Sequence, residues 1–132
     1  MSTCPCQSTL SYQECCEPFH LGTNTPSTAE QLMRSRYSAF ALSLPDYIVK
    51  TTHPDHRDKG LRTSVAHWMS QTSWTGLEIL AVEEGAEGDV FGIVEFVARY
   101  TEMERALKHH ERSKFRLVNN EWLFADGEVY AV

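Results

Sequence analysis

The first half of the chain has the apolar spacing of helices. After a hydroxyl cap at Ser27 or Thr28, apolar residues recur three and four positions apart, which predicts an amphipathic helix that ends at Pro45. Pro45 suits the first turn of a short second helix, which must stop near Thr52 because a polar, proline-containing turn follows. The same spacing predicts a third helix over about 60–71.

The second half of the chain changes to the two-residue alternation of strands. Segments rich in β-branched and aromatic residues predict four strands, at 74–83, 90–100, 106–118 and from 121 to about 125. The dipeptide Asp126-Gly127 is interpreted as a turn after the fourth strand. Three helices followed by about four antiparallel strands predict an α+β fold in which a curved sheet is folded over the helices.

The composition of the chain is that of a globular protein, because 42% of its 132 residues are hydrophobic and 23% are charged. A net charge of -6 argues against a general nucleic-acid binder, which needs a dense basic surface. No apolar run approaches the roughly 20 residues that cross a bilayer. The amino terminus lacks the basic start and apolar middle of a signal peptide, so we expect a cytoplasmic protein without membrane contact.

Four cysteines, Cys4, Cys6, Cys15 and Cys16, lie within thirteen residues, and the rest of the chain has none. In a reducing cytoplasm such a cluster is better explained by metal ligation than by disulfides. Zinc prefers four thiolates, or three thiolates and an imidazole, in a closed tetrahedron, so His20 is the alternative fourth ligand. Because four protein ligands leave no open position for water, we expect a zinc site without hydrolytic activity.

The spacing of these cysteines resembles a known zinc module. Cys4-Pro5-Cys6-Gln7-Ser8, Tyr12 and Cys15-Cys16 are similar to the SEC-C motif, which occurs at the carboxyl end of the preprotein translocase motor subunit. That motif has Cys-x-Cys, eight residues, and then Cys followed by Cys or His. Thr9 stands where the motif usually has glycine, and Leu10-Ser11 stand where basic residues precede its tyrosine. The resemblance implies zinc, whereas the basic partner-binding character of the motif is not matched.

Three further segments extend the resemblance over nearly the whole chain. They are Met33-Arg34-Ser35-Arg36-Tyr37-Ser38-Ala39-Phe40, Glu111-Arg112-Ser113-Lys114-Phe115, and Trp122 with Asp126-Gly127. With the cysteines, they resemble the YchJ-like family of small bacterial zinc-motif proteins, whose biochemical role is not established. The resemblance implies a zinc-binding segment at residues 1–22, here called the cysteine cap, and a nuclear transport factor 2 (NTF2)-like cone at residues 27–132.

A second candidate site is a cavity between the sheet and the helices. Alternation places two charged residues, Glu95 and Arg99, on the same face of the second strand as three apolar ones. Since buried charges are costly unless they are paired, Glu95 is expected to pair with Arg99, or with Arg34 or Arg36 of the first helix. Such a pair either locks the helix to the sheet or marks a ligand pocket. Four aromatic residues fill the core or line that pocket: Trp68, Trp74, Phe115 and Trp122.

Two functions fit the sequence. The first is a non-enzymatic binding or adaptor protein, in which the zinc-loaded cysteine cap recognises a protein partner and the cone supports it or holds a small ligand. The second is an enzyme or small-ligand binder that uses the cavity, with Glu95 or a nearby histidine as general acid or base. No catalytic triad can be assembled from the sequence, and the adjacent residues His109 and His110 must point to opposite faces of a strand.

Overall fold

The computed structural model describes residues 3–130, which form four α-helices and one four-stranded antiparallel sheet. The helices are α1 (Glu17–Leu21), α2 (Ala29–Ala41), α3 (Pro45–Lys50) and α4 (Leu61–Gln71). The strands are β1 (Ser73–Glu84), β2 (Phe91–Glu102), β3 (Arg105–Val118) and β4 (Glu121–Tyr130), and they pair in chain order. Single 3-10 turns lie at Tyr12–Glu14 and Pro54–His56. The predicted α+β class, with helices packed on an antiparallel sheet, is confirmed.

Helix α2 begins at a threonine cap. The Thr28 hydroxyl accepts a hydrogen bond from the Gln31 amide at 3.1 Å, so Thr28 is the capping residue. The Ser27 amide and hydroxyl instead donate to the side-chain oxygen of Gln31 at 2.8 and 3.1 Å. Both hydroxyls that the sequence offers are therefore used at this helix start, but only one of them caps it.

Two glycines let the start of α2 approach the turn between β1 and β2. The Ala29 amide donates to the carbonyl of Gly85 at 2.9 Å. A Cβ on Gly92 would lie 3.0 Å from the Ala29 Cβ and 3.0 Å from the Gly85 nitrogen, which is closer than side chains normally approach. Gly85 also has a φ of +80°, in the left-handed region that favours glycine. These glycines fix where α2 lies against the sheet.

The side of the sheet that the helices cover is called the inner face. On β2 it carries Val94, Phe96 and Ala98, which are all buried. Glu95 and Arg99 alternate with these residues and lie on the opposite, outer face, so the prediction that they point toward the helices is wrong. Both alternating sets of β2 are rich in apolar residues, and the set without charges is the buried one because desolvating a charge is costly.

The charged residues of the outer face pair with one another across strands. Glu95 accepts a hydrogen bond from His110 at 2.8 Å and contacts Arg112 at 3.4 Å. Arg99 lies 3.5 Å from Glu78, and both side chains are about half exposed. These cross-strand contacts are partly accessible to solvent, and such pairs contribute little to stability.

Strand β4 continues through Asp126-Gly127, where the sequence predicts a turn, and ends at Tyr130. Gly127 lies opposite Ser113 of β3, next to an irregularity in the pairing at Lys114. A Cβ on Gly127 would collide with the carboxylate of Glu111. The glycine therefore leaves room for a largely buried acidic side chain and does not make a turn.

The core extends from the inner face into the cysteine cap. Cys4, Cys6 and Cys16 are buried in one cluster with Leu32 and Met33 of α2. The described part of the cysteine cap is thus packed on the cone and shares its core. Within residues 3–130, no helix combines the length and the apolar character that a membrane crossing needs.

Candidate functional site

The sulfur atoms of the four cysteines converge in the cysteine cap. All four lie within 4.8 Å of one another, with Cys6 and Cys15 separated by 3.6 Å and Cys15 and Cys16 by 3.8 Å. In tetrahedral zinc thiolates with bonds of about 2.3 Å, neighbouring sulfurs lie roughly 3.8 Å apart. The cluster therefore has the size and the ligand type of a closed metal site, and it could hold a metal ion.

Local backbone turns bring the two pairs of cysteines together. The Cys4 amide donates to the carbonyl of Leu10 at 2.7 Å, and the Gln7 amide donates to the carbonyl of Cys4 at 3.0 Å. These bonds close a loop around the first pair. Cys16 is the N-cap of α1, which has Pro18 in its first turn. Cys15 and Cys16 are therefore held at the start of a short helix. The backbone turn there allows two adjacent cysteines to direct both sulfurs to one ion.

The four thiols are arranged so that a cation can replace their protons. Hydrogen bonds with Cys16 and Cys4 lower the pKa of Cys6. Hydrogen bonds with Cys4 and Cys6 raise the pKa of Cys16, and burial raises the pKa of Cys15 to about 11. Four thiolates this close together need a compensating positive charge, which a divalent metal ion supplies. The donor set fits a soft divalent metal.

His20 lies beside the cluster and has other partners. Its Nδ1 lies 2.6 Å from the hydroxyl of Tyr12, and its Nε2 lies 2.8 Å from the carbonyl of Ser35. A carbonyl can only accept, so Nε2 carries the proton and Nδ1 accepts from Tyr12. Burial lowers the pKa of His20, which favours this neutral form. With both nitrogens occupied, His20 connects the cysteine cap to α2 and is not a member of the four-ligand cluster.

Side chains and backbone around the sulfurs tie the cluster to α2. The buried hydroxyl of Ser38 lies 3.3 Å from the sulfurs of both Cys4 and Cys16. Arg34 donates from Nη1 to the carbonyl of Cys6 at 2.8 Å and from Nε to Glu30 at 2.9 Å. Arg34 therefore supports the cysteine cap, although the sequence suggested it for the cavity. Such outer contacts orient metal ligands and tune their affinity.

Replacing Thr9 by glycine should stabilise the protein by about 1 kcal/mol, because a β-branched residue is strained in the left-handed region. Thr9 has a φ of +77°, at the position where the resembling motif usually has glycine. Urea unfolding of the metal-loaded protein measures the effect. Thr75→Gly, at an exposed position in β1, is the control and should destabilise. A Thr9→Gly variant less stable than the wild type would contradict the proposed strain.

A cavity of about 150 Å³ lies between the inner face, α2 and α4. Four residues of α2 line it at the three- and four-residue spacing of one helical stripe: Met33, Arg36, Tyr37 and Phe40. The other lining residues come from α4 and the four strands: Trp68, Trp74, Phe96, Ala98, His109, Glu111, Ser113, Phe115 and Phe124. The wall is mainly aromatic, with a few polar groups among the rings.

Half of the residues that the sequence suggested for a cavity are among those that line it: Arg36, Trp68, Trp74 and Phe115. Glu95 and Arg99 are excluded because they lie on the outer face, and Arg34 contacts the cysteine cap. Trp122 is buried away from the cavity and donates from Nε1 to the carbonyl of Ser27 at 3.2 Å. The predicted aromatic lining is thus correct in part, whereas the predicted acidic residue is not.

A polar row on the inner face of β3, formed by His109, Glu111 and Ser113, was not found from the sequence. Glu111 accepts from Nε2 of His109 at 2.7 Å through one oxygen and from the hydroxyl of Ser113 through the other. Burial raises the pKa of Glu111, but these hydrogen bonds and the charges of His109 and Arg36 outweigh it and lower the pKa overall. Glu111 is therefore an ionised carboxylate inside the cavity. Gly127, which leaves room for it, could not indicate this from the sequence alone, because Asp126-Gly127 has the composition of a turn.

Arg36 faces the polar row from α2. Its Nη1 donates to the carbonyl of Ile48 at 3.1 Å and to the hydroxyls of Thr51 and Thr52 at 2.8 and 3.2 Å. Its guanidinium carbon lies 4.7 Å from the centre of the Phe124 ring, a cation–π contact. Burial lowers the pKa of Arg36 to about 10, so it stays charged at neutral pH. The cavity thus holds one fixed cation and one fixed anion.

The indoles of Trp68 and Trp74 form the wall opposite these charges. Their ring centres lie 5.3 Å apart in a T-shaped arrangement, and Phe40 packs 5.4 Å from Trp68. Among residues 3–130, the Nε1 of Trp74 is the one buried side-chain polar atom without a hydrogen-bond partner. The predicted opposite orientation of His109 and His110 is confirmed, since His109 lines the cavity and His110 contacts Glu95 outside it.

The fold and the cysteine cluster together define an NTF2-like α+β domain that carries an SEC-C cysteine cap. Residues 28–127 match the family described as "YchJ, middle NTF2-like domain". The chain belongs to this YchJ-like family.

Relatives and solved structures agree with this assignment. A UPF0225 protein of Geobacter sulfurreducens is 45% identical over 124 residues, which cover 94% of this chain and 77% of the relative. The solution structure of an SEC-C motif containing protein from Rhodopseudomonas palustris has a TM-score of 0.87 at 39% identity, covering 97% of this chain and 98% of that one. The crystal structure of a sec-c motif containing protein from Psychrobacter arcticus has a TM-score of 0.85 at 36% identity, covering 100% and 85%.

Proposed function

We propose that this protein binds a small organic ligand in the cavity of its cone, and that zinc in the cysteine cap holds the wall of that cavity in place. The observation that carries the proposal is the row of His109, Glu111 and Ser113, which faces Arg36 inside an otherwise aromatic cavity. A purely structural core would be filled by apolar side chains, since each buried charge is costly. Polar groups converging in an apolar cavity are typical of ligand sites.

The proposed metal is zinc, held by Cys4, Cys6, Cys15 and Cys16. Four thiolate ligands at the spacing of a tetrahedron support zinc over metals that prefer oxygen ligands. A closed set of four protein ligands leaves no position for a substrate, so the zinc has a structural role. Ser38 of α2 contacts the proposed zinc ligands Cys4 and Cys16, and Arg36 and Tyr37 of the same helix line the cavity.

A cavity-filling variant tests the ligand proposal. Ala98 is buried on the inner face and lines the cavity, so Ala98→Leu should fill part of it. Val97→Leu also enlarges a side chain, at the adjacent position of β2, which faces the other side of the sheet, and serves as the control. We expect ligand-observed NMR of a fragment library to detect binders of the zinc-loaded wild type and Val97→Leu that Ala98→Leu no longer binds. If no fragment distinguishes the two variants, the cavity is not a ligand site.

The adaptor function suggested by the sequence is retained as a second proposal. It is favoured by two exposed leucines of the cysteine cap, Leu10 and Leu21, which are 50% and 69% exposed. Isolated apolar residues are common on protein surfaces, so this observation is weaker than the cavity. Replacing both leucines by serine should abolish the affinity capture of protein partners by the wild-type protein, and should leave fragment binding in the cavity unchanged. Equal capture by both forms would contradict recognition through the cysteine cap.

A further inference from the structure

The guanidinium of Arg36 makes hydrogen bonds to the described residues from Nη1, whereas the edge formed by Nε and Nη2 makes none. All three hydrogen bonds that it makes within residues 3–130 come from Nη1. Nε and Nη2 have no hydrogen-bond partner in that part of the chain. Neither nitrogen is fully buried, because among these residues only the Trp74 Nε1 is both fully buried and without a partner. Both nitrogens therefore reach accessible space, and the space that Arg36 lines is the cavity.

This open edge has the geometry that recognises a planar oxyanion. The N–H bonds of Nε and Nη2 run parallel on the same side of a guanidinium, and they match the two oxygens of a carboxylate. The contacts of Nη1 with the end of α3, together with the Phe124 ring, hold the guanidinium in position before any ligand arrives. A preorganised fork loses less entropy when it binds.

No carboxylate within residues 3–130 occupies that edge. Glu111 is the acidic residue of the cavity, but its oxygens accept from His109 and Ser113. Among the described residues, no ion pair within 4.0 Å joins Arg36 to Glu111 or to another acid. A charged guanidinium next to aromatic rings, without a direct counter-ion, is suited to an anion from outside.

The remaining space limits the size and shape of that anion. A cavity of about 150 Å³ matches an engineered apolar cavity of similar volume that takes up benzene. The rings of Trp68, Trp74 and Phe96 provide flat apolar walls. One planar ring with a small charged group therefore suits the space.

We propose that the ligand is a compact carboxylate on a single planar ring, with its carboxylate on the Nε and Nη2 edge of Arg36. The inference deepens the proposed function and rests on it, since it requires the cavity to bind small molecules. A neutral carbonyl compound would offer a single oxygen to the two N–H groups of the fork and would leave the charge of Arg36 unpaired. A phosphate would bring more negative charge toward the ionised Glu111.

The test compares benzoate with benzyl alcohol, which keeps the ring and lacks the carboxylate, by calorimetric titration of the zinc-loaded protein. We expect benzoate to bind at least about tenfold more tightly, because a charge-assisted pair is stronger than a neutral hydrogen bond. Arg36→Lys removes the fork and should weaken benzoate about tenfold without changing benzyl alcohol. Glu111→Gln removes the opposing negative charge and should strengthen benzoate several-fold. Glu95→Gln, on the outer face, is the control and should change neither ligand.

A nitrogen-edited NMR spectrum locates the bound ring, since the chain has three indole N–H groups. Benzoate should shift the signals of Trp68 and Trp74, which line the cavity, and leave that of Trp122 in place. If benzoate and benzyl alcohol bind equally, or Glu111→Gln weakens benzoate, the inference is overturned. Fragments that fill the cavity without preferring a carboxylate would overturn it while the proposed function stands. If Arg36→Lys does not fold, the comparison of benzoate with benzyl alcohol and the effect of Glu111→Gln still test the inference.

Discussion

A variant with Cys16 replaced by serine is expected to lose the zinc that we propose for the cysteine cap, and to unfold at a much lower denaturant concentration than the wild type. Cys16 is 1% exposed and lies in the core cluster that joins the cysteine cap to α2. A serine hydroxyl is a poor zinc ligand, and three thiolates with one missing position would no longer form a closed site. Structural zinc contributes about 10–16 kcal/mol to small modules, so we expect a loss of at least about 3 kcal/mol.

Two measurements check this expectation together. Elemental analysis of the purified proteins should find one zinc per wild-type chain and well under one per Cys16→Ser chain. A strong chelator should lower the unfolding midpoint of the wild type to that of the variant and leave the variant unchanged. Added zinc should restore only the wild type. A Cys16→Ser protein that keeps its zinc and the wild-type unfolding curve would remove the metal from the proposed function.

The sequence predicted those features that depend on residues close together in the chain. Helical spacing located α2 and α4 to within a few residues, because a helix is defined by contacts three and four positions apart. The four cysteines lie within a short segment, so their meeting needed only local turns such as the one that Cys4 makes with Leu10. The cluster of four cysteines was therefore visible before the fold was known.

The inner face of the sheet could not be predicted in the same way. Both alternating sets of β2 contain apolar residues, so Glu95 and Phe96 were equally suited to the inner face by pattern alone. The uncharged set is buried because desolvating Glu95 and Arg99 would be costly, and the pairing of β2 with β3 places Glu111 opposite Phe96 on the same face. The acidic residue of the cavity became visible only when that register was known.

Glycine patterns gave a misleading signal at the end of the chain. Asp126-Gly127 has the composition of a hairpin turn, but here the missing side chain makes room for Glu111. Gly92 similarly admits Ala29 at the start of α2. A glycine that allows close approach and a glycine that makes a turn look alike in sequence, and only the neighbouring elements separate them.

The cysteine cluster and the cavity lie on different sides of one helix. Ser35 and Ser38 of α2 contact groups of the cysteine cap or its supports, whereas Arg36, Tyr37 and Phe40 line the cavity. A side chain that strengthens metal binding therefore also fixes the helix that forms the cavity wall. Ser38 is the residue at which this connection can be tested with the smallest change.

Replacing Ser38 by alanine should weaken zinc binding by about 10–100-fold, which is typical when a hydrogen bond to a metal ligand is lost. Its hydroxyl lies 3.3 Å from the sulfurs of Cys4 and Cys16 and has no access to solvent. Once zinc is bound, the hydroxyl can donate to a thiolate and stabilise its charge, and the smaller alanine leaves that sulfur without this bond. Competition with a chromophoric zinc chelator measures the change in affinity.

Ser64→Ala, on an exposed position of α4, is the matched control and should bind zinc like the wild type. A Ser38→Ala affinity within twofold of that control would contradict the role of the hydroxyl. Because α2 carries both sites, the coupling must also be reciprocal. If zinc stiffens the cavity wall, a ligand bound at Arg36 should raise zinc affinity in the wild type, and should raise it by a smaller factor once the Ser38 contact has gone.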